Sequence, residues 1–280
     1  GAYQRMGWIP RHGISDRDIA WETHKLLLAD YVFCPSPFVY QSMLDAGVDA
    51  SKLLLASYGW EPRRFLGQHR WLPWIDGVTV LFVGMVCARK GAHLLLRAWA
   101  KAKLEGRLVL TGAMTPEIAE GCAEELSRPD VLHIEQCADV AAIYRSADVF
   151  AFPTLEEGSP LVSYEALAAG LPSIMSPMGA GQIIRDGQEG LIRDSYDQEA
   201  WIEALRRLAA DPECRQALGA NARRRAQQFT WQLAGERRRR RGARGGTLRC
   251  APSRPRLGRV RCVCRDRERR ARTIRRVAAA

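Results

Sequence analysis

Between Val78 and Ile192, short apolar and β-branched runs alternate with longer stretches of helical period, and nothing else in the chain constrains its fold as tightly. VTVLFVG (78–84), RLVLT (107–111), VLHI (131–134), DVFAFP (148–153), PSIM (172–175) and GLI (190–192) read as strands. GAHLLLRAWAKAK (91–103), PEIAEGCAEEL (116–126), DVAAIYRSA (139–147) and LVSYEALAAG (161–170) read as the helices between them. In the first of these, Leu94, Leu95, Ala98 and Ala102 fall on one face. Strands separated by helices are joined by right-handed crossovers. The expected fold is therefore α/β, a Rossmann-like doubly wound parallel sheet covered on both faces. Helical segments at 197–211 and 212–229 close it, with Pro212 suited to a first helical turn.

Four regions follow. Residues 1–59 repeat the grammar in miniature, with a helix around 16–29, a strand YVFC (31–34), a helix near 37–46 and a strand KLLLASY (52–58), too little for a whole domain. Residues 60–77, rich in Trp and Pro and without periodicity, read as a linker from this partial second layer. Residues 78–235 form the complete layer. Residues 236–280 lack Phe, Tyr, Trp and Met and are expected to be disordered, because they cannot bury enough surface to offset chain entropy.

The net charge of +11 suggests a polyanion partner until its distribution is considered. Of the 42 basic residues, 18 are arginines within 236–280, where they face three acids; the other 24 face 28 acids. The folded part is mildly acidic, so overall charge says little about its ligand. Attraction of the tail to nucleic acid or another anionic surface would be non-specific and salt-dependent, and the tail has no aromatics for base stacking. The eight cysteines form no CxxC pair and read as reduced, buried thiols, not as a zinc site. No apolar run approaches the roughly 20 residues of a membrane-spanning helix. The start, GAYQRMGWIPRHG, has no signal-like stretch, which points to the cytoplasm.

The string PTLEEGSPLVSYEALAAGLPS (153–173) carries the chemistry. DVFAFP delivers the chain to the carboxyl edge of a sheet, where open α/β folds bind ligands. Gly158 permits close backbone approach, Ser159 is a natural N-cap, and Pro160 is preset for the first helical position. The helix then opens at Leu161 with free N–H groups and a positive dipole end, an arrangement suited to a diphosphate. Glu157 stands just before that helix and Glu165 in its second turn, beside the sheet-facing stripe, where an unpaired carboxylate is costly. A carboxylate can accept two vicinal hydroxyls of a sugar, and sugars at both ends of a diphosphate make a nucleotide sugar. Taken singly, Glu157 reads equally well as an ordinary acidic residue of a helix start, and Arg89 and Lys90 as a solvated one. Cations there oppose the helix dipole, however.

EGSPLVSYE (157–165) is an E-x7-E motif and resembles the signature of the retaining GT-B glycosyltransferases of group 1, also called family 4. LFVGMVCARKGAHLLLRAW (81–99), LVLTG (108–112), ADVFAFPT (147–154) and GLPSIMSPMGAGQIIRDGQEGLI (170–192) resemble that family's further landmarks in order. Residues 29–65 resemble the end of its acceptor-side domain. The resemblance implies that 78–235 is the nucleotide-sugar-binding half of a GT-B enzyme. Glu165 would hold the nucleotide ribose, and Glu157, the catalytic candidate, the donor sugar's hydroxyls. Gly84, Gly158, Ser159, Pro160 and Leu161 would line the sugar and phosphates, and Arg89 and Lys90 would neutralise the diphosphate. It implies no metal and no cofactor beyond the nucleotide-sugar co-substrate, an acceptor of unspecified kind, no specific nucleic acid, and a cytoplasmic location with contact to the inner membrane face left open.

Three departures stand out. Met85 takes the place of an arginine that many relatives carry after the first strand's glycine, and Gln182 that of a family glutamate. Most of the acceptor domain expected of the family does not precede residue 29, so the chain is expected to be a truncated or split enzyme. The Arg, Gly, Ala, Pro and Cys composition after 236 is that of GC-rich DNA read in a shifted frame. The rival enzymatic readings are a nucleotide-sugar epimerase and a glycosidic phosphorylase of the same architecture.

Overall fold

The computed structural model describes residues 14–244 together with Arg5 and Gly7. The chain begins with α1 (Asp16–Leu28), β1 (Val32–Cys34), α2 (Pro37–Asp45) and β2 (Leu53–Leu55). β1 and β2 pair in parallel as a two-stranded sheet. Ser15 and Ser36 cap α1 and α2 through their hydroxyls, in α1 as a full capping box with Asp18.

The main layer holds β3 (Val78–Val83), α3 (Ala92–Ala102), β4 (Gly106–Thr111), α4 (Pro116–Gly121), α5 (Ala123–Leu126), β5 (Val131–Ile134), α6 (Val140–Arg145) and β6 (Val149–Phe152). It continues through α7 (Leu161–Ala169), β7 (Ser173–Met175), α8 (Pro177–Ala180), β8 (Gly190–Ile192), α9 (Gln198–Ala210), α10 (Pro212–Ala226) and α11 (Trp231–Arg244). The six strands are all parallel, in the order β5-β4-β3-β6-β7-β8. Winding runs outward one way from β3 and back the other way from β6, so the order reverses between β3 and β6.

All six residues of β3 are buried, as are all four of β6, which is why these strands read as continuous apolar runs without alternation. α3 packs Leu95, Leu96 and Trp99 onto the sheet, and α9 adds Trp201, Leu205 and Leu208. The helix expected over 116–126 is broken in two at Cys122, whose backbone (φ −130) is not helical.

Residues 60–77 are anchored along their length, not slack. Trp60 pairs backbone to backbone with Phe229 and Trp231, and its indole N–H donates to the Ala226 carbonyl at 2.7 Å. The amides of Trp71 and Leu72 donate to the Ser146 hydroxyl, 2.9 Å each. Helix α11 passes the expected boundary at residue 235 and continues to Arg244. Ala234 is buried, and the Arg238 guanidinium lies over the rings of Phe33 (5.8 Å) and Tyr58 (5.6 Å), so aromatic partners outside the arginine run support it. The rest of the expected disordered tail, 245–280, lies outside the described residues. No helix among the described residues is long and apolar enough to cross a membrane.

Candidate functional site

The carboxyl ends of β3 and β6 meet at the reversal of strand order, where a doubly wound sheet leaves a crevice. β3 ends at Gly84, whose φ of 134 takes the chain into a conformation that side chains resist. The following loop returns against β6. The Leu155 amide donates to the Arg89 carbonyl at 2.9 Å. Gly91 adopts a left-handed conformation (φ 72) with its Cα against the Pro153 carbonyl, so that a side chain there would overlap backbone. This close approach carries Lys90 across to the E-x7-E motif.

There the Lys90 ammonium pairs with Glu157, and both side chains are largely buried, 15% and 9% exposed. The Thr154 hydroxyl is within 3.3 Å of the same carboxylate oxygen, Oε1. Arg89 is exposed and directs its guanidinium toward the Glu156 carbonyl at 3.5 Å. Met85 is 52% exposed beside the loop and supplies no charge.

Helix α7 starts at Leu161, with Pro160 as its cap residue and no side-chain cap. The expected cap, Ser159, is turned away. Its hydroxyl lies 2.9 Å from that of Tyr164, and it is buried, whereas Gly158 and Leu161 are exposed. Tyr164 offers a partner within the protein, and satisfying it inside the fold outweighs capping. The first amides of α7 thus keep no side-chain acceptor, and the positive end of the helix opens beside the Lys90–Glu157 pair.

Glu165, one and a half turns into α7, is mostly buried. The Tyr144 hydroxyl of α6 donates to its Oε2 at 3.1 Å, and the Arg64 guanidinium stands 3.6 Å from Oε1. Burial pushes its carboxyl above the usual carboxylate range, against the opposing pull of Tyr144 and Arg64. Tyr144 is fully buried, and its hydroxyl is pushed well up by burial and by the neighbouring carboxylate.

The structure therefore gathers Lys90, Glu157, Gly158, Ser159, Pro160 and Leu161 in one place, sets Glu165 along the same helix, and leaves Gly84 at the strand end and Arg89 at the rim. Four further residues touch this region from elsewhere in the chain. Ser36, the cap of α2, donates its hydroxyl to the Gly158 carbonyl, and Val39 packs against Gly158, where an added Cβ would lie 3.3 Å from its methyl. Arg64 and Tyr144 hold Glu165. Ser36 and Arg64 are separated from their partners by about a hundred residues of chain, and no local pattern marks such pairs. Gln182 is exposed and sits in the left-handed region (φ 64), an uncommon place for a non-glycine residue.

An open parallel sheet with this strand order and a helix N-terminus at the reversal point define the doubly wound, Rossmann-like class. The sequence profile described as glycosyl transferases, group 1, matches residues 77–211, and with the relatives and solved structures that follow it supports a GT-B glycosyltransferase of group 1. It is 32% identical over 202 residues to a D-inositol 3-phosphate glycosyltransferase of Actinosynnema mirum, which covers 66% of this chain and 47% of that relative. A protein of the same description from Saccharomonospora viridis is 34% identical over 173 residues, covering 56% of this chain and 40% of the relative. The chain thus spans about half the length, or less, of these curated relatives. Among solved structures, sucrose-phosphate synthase from Thermosynechococcus elongatus superposes with a TM-score of 0.71 at 27% identity, covering 86% of this chain and 65% of that one. The Anabaena protein HepE, solved in complex with UDP and glucose, superposes with a TM-score of 0.72 at 16% identity, covering 82% of this chain and 68% of HepE.

Proposed function

We propose that this chain takes part in transfer of a sugar from a nucleoside-diphosphate sugar to an acceptor, with 78–235 as the donor-binding half. The observation that carries the reading is the buried Lys90–Glu157 pair beside the uncapped N-terminus of α7, at the reversal of strand order. In that place the free amides and the Lys90 ammonium suit the two negative phosphates, whose departure with the nucleotide is the costly part of glycosyl transfer. Glu157, held by Lys90 and Thr154, has one oxygen engaged and the other available to accept sugar hydroxyls. Glu165, further along the helix, would hold the ribose diol. UDP-glucose is the first donor to test, and UDP the first nucleotide, because HepE is solved with both.

Retention of anomeric configuration belongs to the reading through the E-x7-E resemblance. Metal independence belongs to it through the same resemblance, with the Lys90 ammonium and the N-terminus of α7 as the groups that would meet the phosphates. The reading places the protein in the cytoplasm, and the exposed arginines of α11 (Arg237, Arg239, Arg240 and Arg241) would favour an anionic membrane face.

Ligand-observed NMR with UDP-glucose, UDP and GDP-mannose against the chain and its Glu165→Ala variant tests the reading. Binding by the wild type and loss in the variant is the expected result. A wild-type chain that ignores all three, or a variant that binds as well as the wild type, would overturn it.

A further inference from the structure

Glu165 has to remain a carboxylate to accept two hydroxyls, yet it lies in surroundings that favour its neutral form. Two groups face it. From α6, the Tyr144 hydroxyl donates to Oε2, so one oxygen is already oriented within the protein. From the turn at Pro62–Phe65, in the crossover between the small layer and the sheet, the Arg64 guanidinium approaches Oε1 at 3.6 Å. Arg64 is half exposed, with 55% of its side chain open to solvent, while Glu165 retains 16%. The cation therefore stands at the mouth of the site, over the one carboxylate oxygen that Tyr144 leaves unengaged.

The turn is held on both sides of Arg64. Trp60 is bonded to residues 226–231, and the Phe65 ring packs against those of Trp60 (5.6 Å) and Tyr144 (6.1 Å). The Glu61 carboxylate accepts from the Arg63 amide at 3.2 Å and so caps the turn. Arg64 is thus presented by an anchored segment and is not a long side chain that happens to lie nearby.

We infer that Arg64 is a positioning residue for donor binding: delivered from the crossover, it holds Glu165 ionised and keeps Oε1 turned to the crevice where a ribose diol would sit. The inference rests on the donor-binding reading above and adds to it a residue outside the E-x7-E motif. Its consequence is that donor affinity and the seating of the crossover turn are linked, since a turn that lifts away takes with it the charge that keeps Glu165 ionised.

Two measurements on the full chain separate this inference from the reading beneath it. The first is the Glu165 carboxyl titration, followed by NMR in protein labelled at glutamate side chains and assigned with Glu165→Gln. It needs no nucleotide. In Arg64→Leu the Glu165 titration should move to higher pH, and in Arg64→Lys it should stay near the wild-type position, because the charge is kept although the planar fork is lost. The second is UDP affinity against pH. Wild-type affinity should fall as Glu165 takes up its proton. In Arg64→Leu that fall should begin at higher pH, with affinity on the acid side of the wild-type midpoint lower than wild type by about three- to tenfold, as a shift approaching one unit would produce.

In a Glu165→Gln background the Arg64→Leu change should leave the pH profile where it is. A purely structural Arg64 would alter thermal stability but neither titration. If UDP binds the wild type and both titrations are unchanged in Arg64→Leu, the inference is overturned and the donor reading stands. The affinity series is run with UDP or, if only GDP-mannose binds, with GDP; if UDP, UDP-glucose and GDP-mannose all fail to bind the wild type, the reading falls and the inference with it.

Discussion

The two layers of this protein are stabilised in different ways. The six-stranded layer buries every side chain of β3 and β6 and closes over large aromatics such as Trp99, Trp201 and Phe82. The two-stranded layer buries little. α1 has no buried residue, and Ile19, Trp21, Leu27, Leu28 and Phe33 are all substantially exposed. Its described links to the site are few, notably the Ser36 hydroxyl on the Gly158 carbonyl and Val39 against Gly158. The large layer sets the geometry of the site by packing, whereas the small layer touches it through individual bonds.

The comparison breaks most visibly in the cores. Phe82→Ala should cost about 3–5 kcal/mol, as truncation of a fully buried aromatic does, whereas Phe33→Ala in the small layer should stay within about 1 kcal/mol. Urea unfolding of the two variants would show it, and equal losses would mean that the small layer is a core in its own right.

Next in size is Lys90→Met. It leaves Glu157 buried without its cation and should cost about 3 kcal/mol of stability, with UDP-glucose binding weakened by about tenfold or more. Retained affinity in that variant would detach Lys90 from the phosphates.

Ser36→Ala sharpens the contrast at the contact itself. A single hydroxyl bond predicts a loss of about 1 kcal/mol, together with faster amide exchange around Gly158 to Leu161. No change in exchange would mean that the small layer does not steady the donor loop.

The smallest effect is a pH dependence. Burial raises the Glu165 carboxyl above its unfolded value, so its contribution to stability is complete in acid and is lost as pH rises through the folded value. Glu165→Gln should therefore melt slightly higher than wild type near neutral pH and converge with it in acid. Melting curves across about pH 4 to 8 span that window.

How much of this was readable beforehand depended on distance along the chain. β3 and β6 were plain because full burial writes an unbroken apolar run, and α7 was bounded by Pro160 before it and by Gly170, in the left-handed conformation, after it. Lys90 and Glu157 were both singled out by local pattern, but their pairing depends on the loop after β3 closing on β6. Ser159 was misassigned as the helix cap because its actual partner, Tyr164, is as local as a cap but is chosen by burial. Arg64 left no trace, since a cation in an aperiodic stretch gains meaning only when the crossover folds against α7. The continuation of α11 was hidden for a related reason: its support comes from Phe229, Phe33 and Tyr58, not from the arginine run itself.

The clamp at Trp60 has a practical corollary for dissecting the molecule. The backbone of Gly59 lies so close to residues 229–231 that even a methyl group there would come within 2.7 Å of their main chain. Residue 60 is also the hydrogen-bonding partner of the end of α10 and the start of α11. A shortened gene that begins at β3 would leave those two helices without the strip of chain they close upon. One that begins a few residues before Gly59 would keep it. The natural cut for producing the six-stranded layer alone therefore falls before the crossover and not after it.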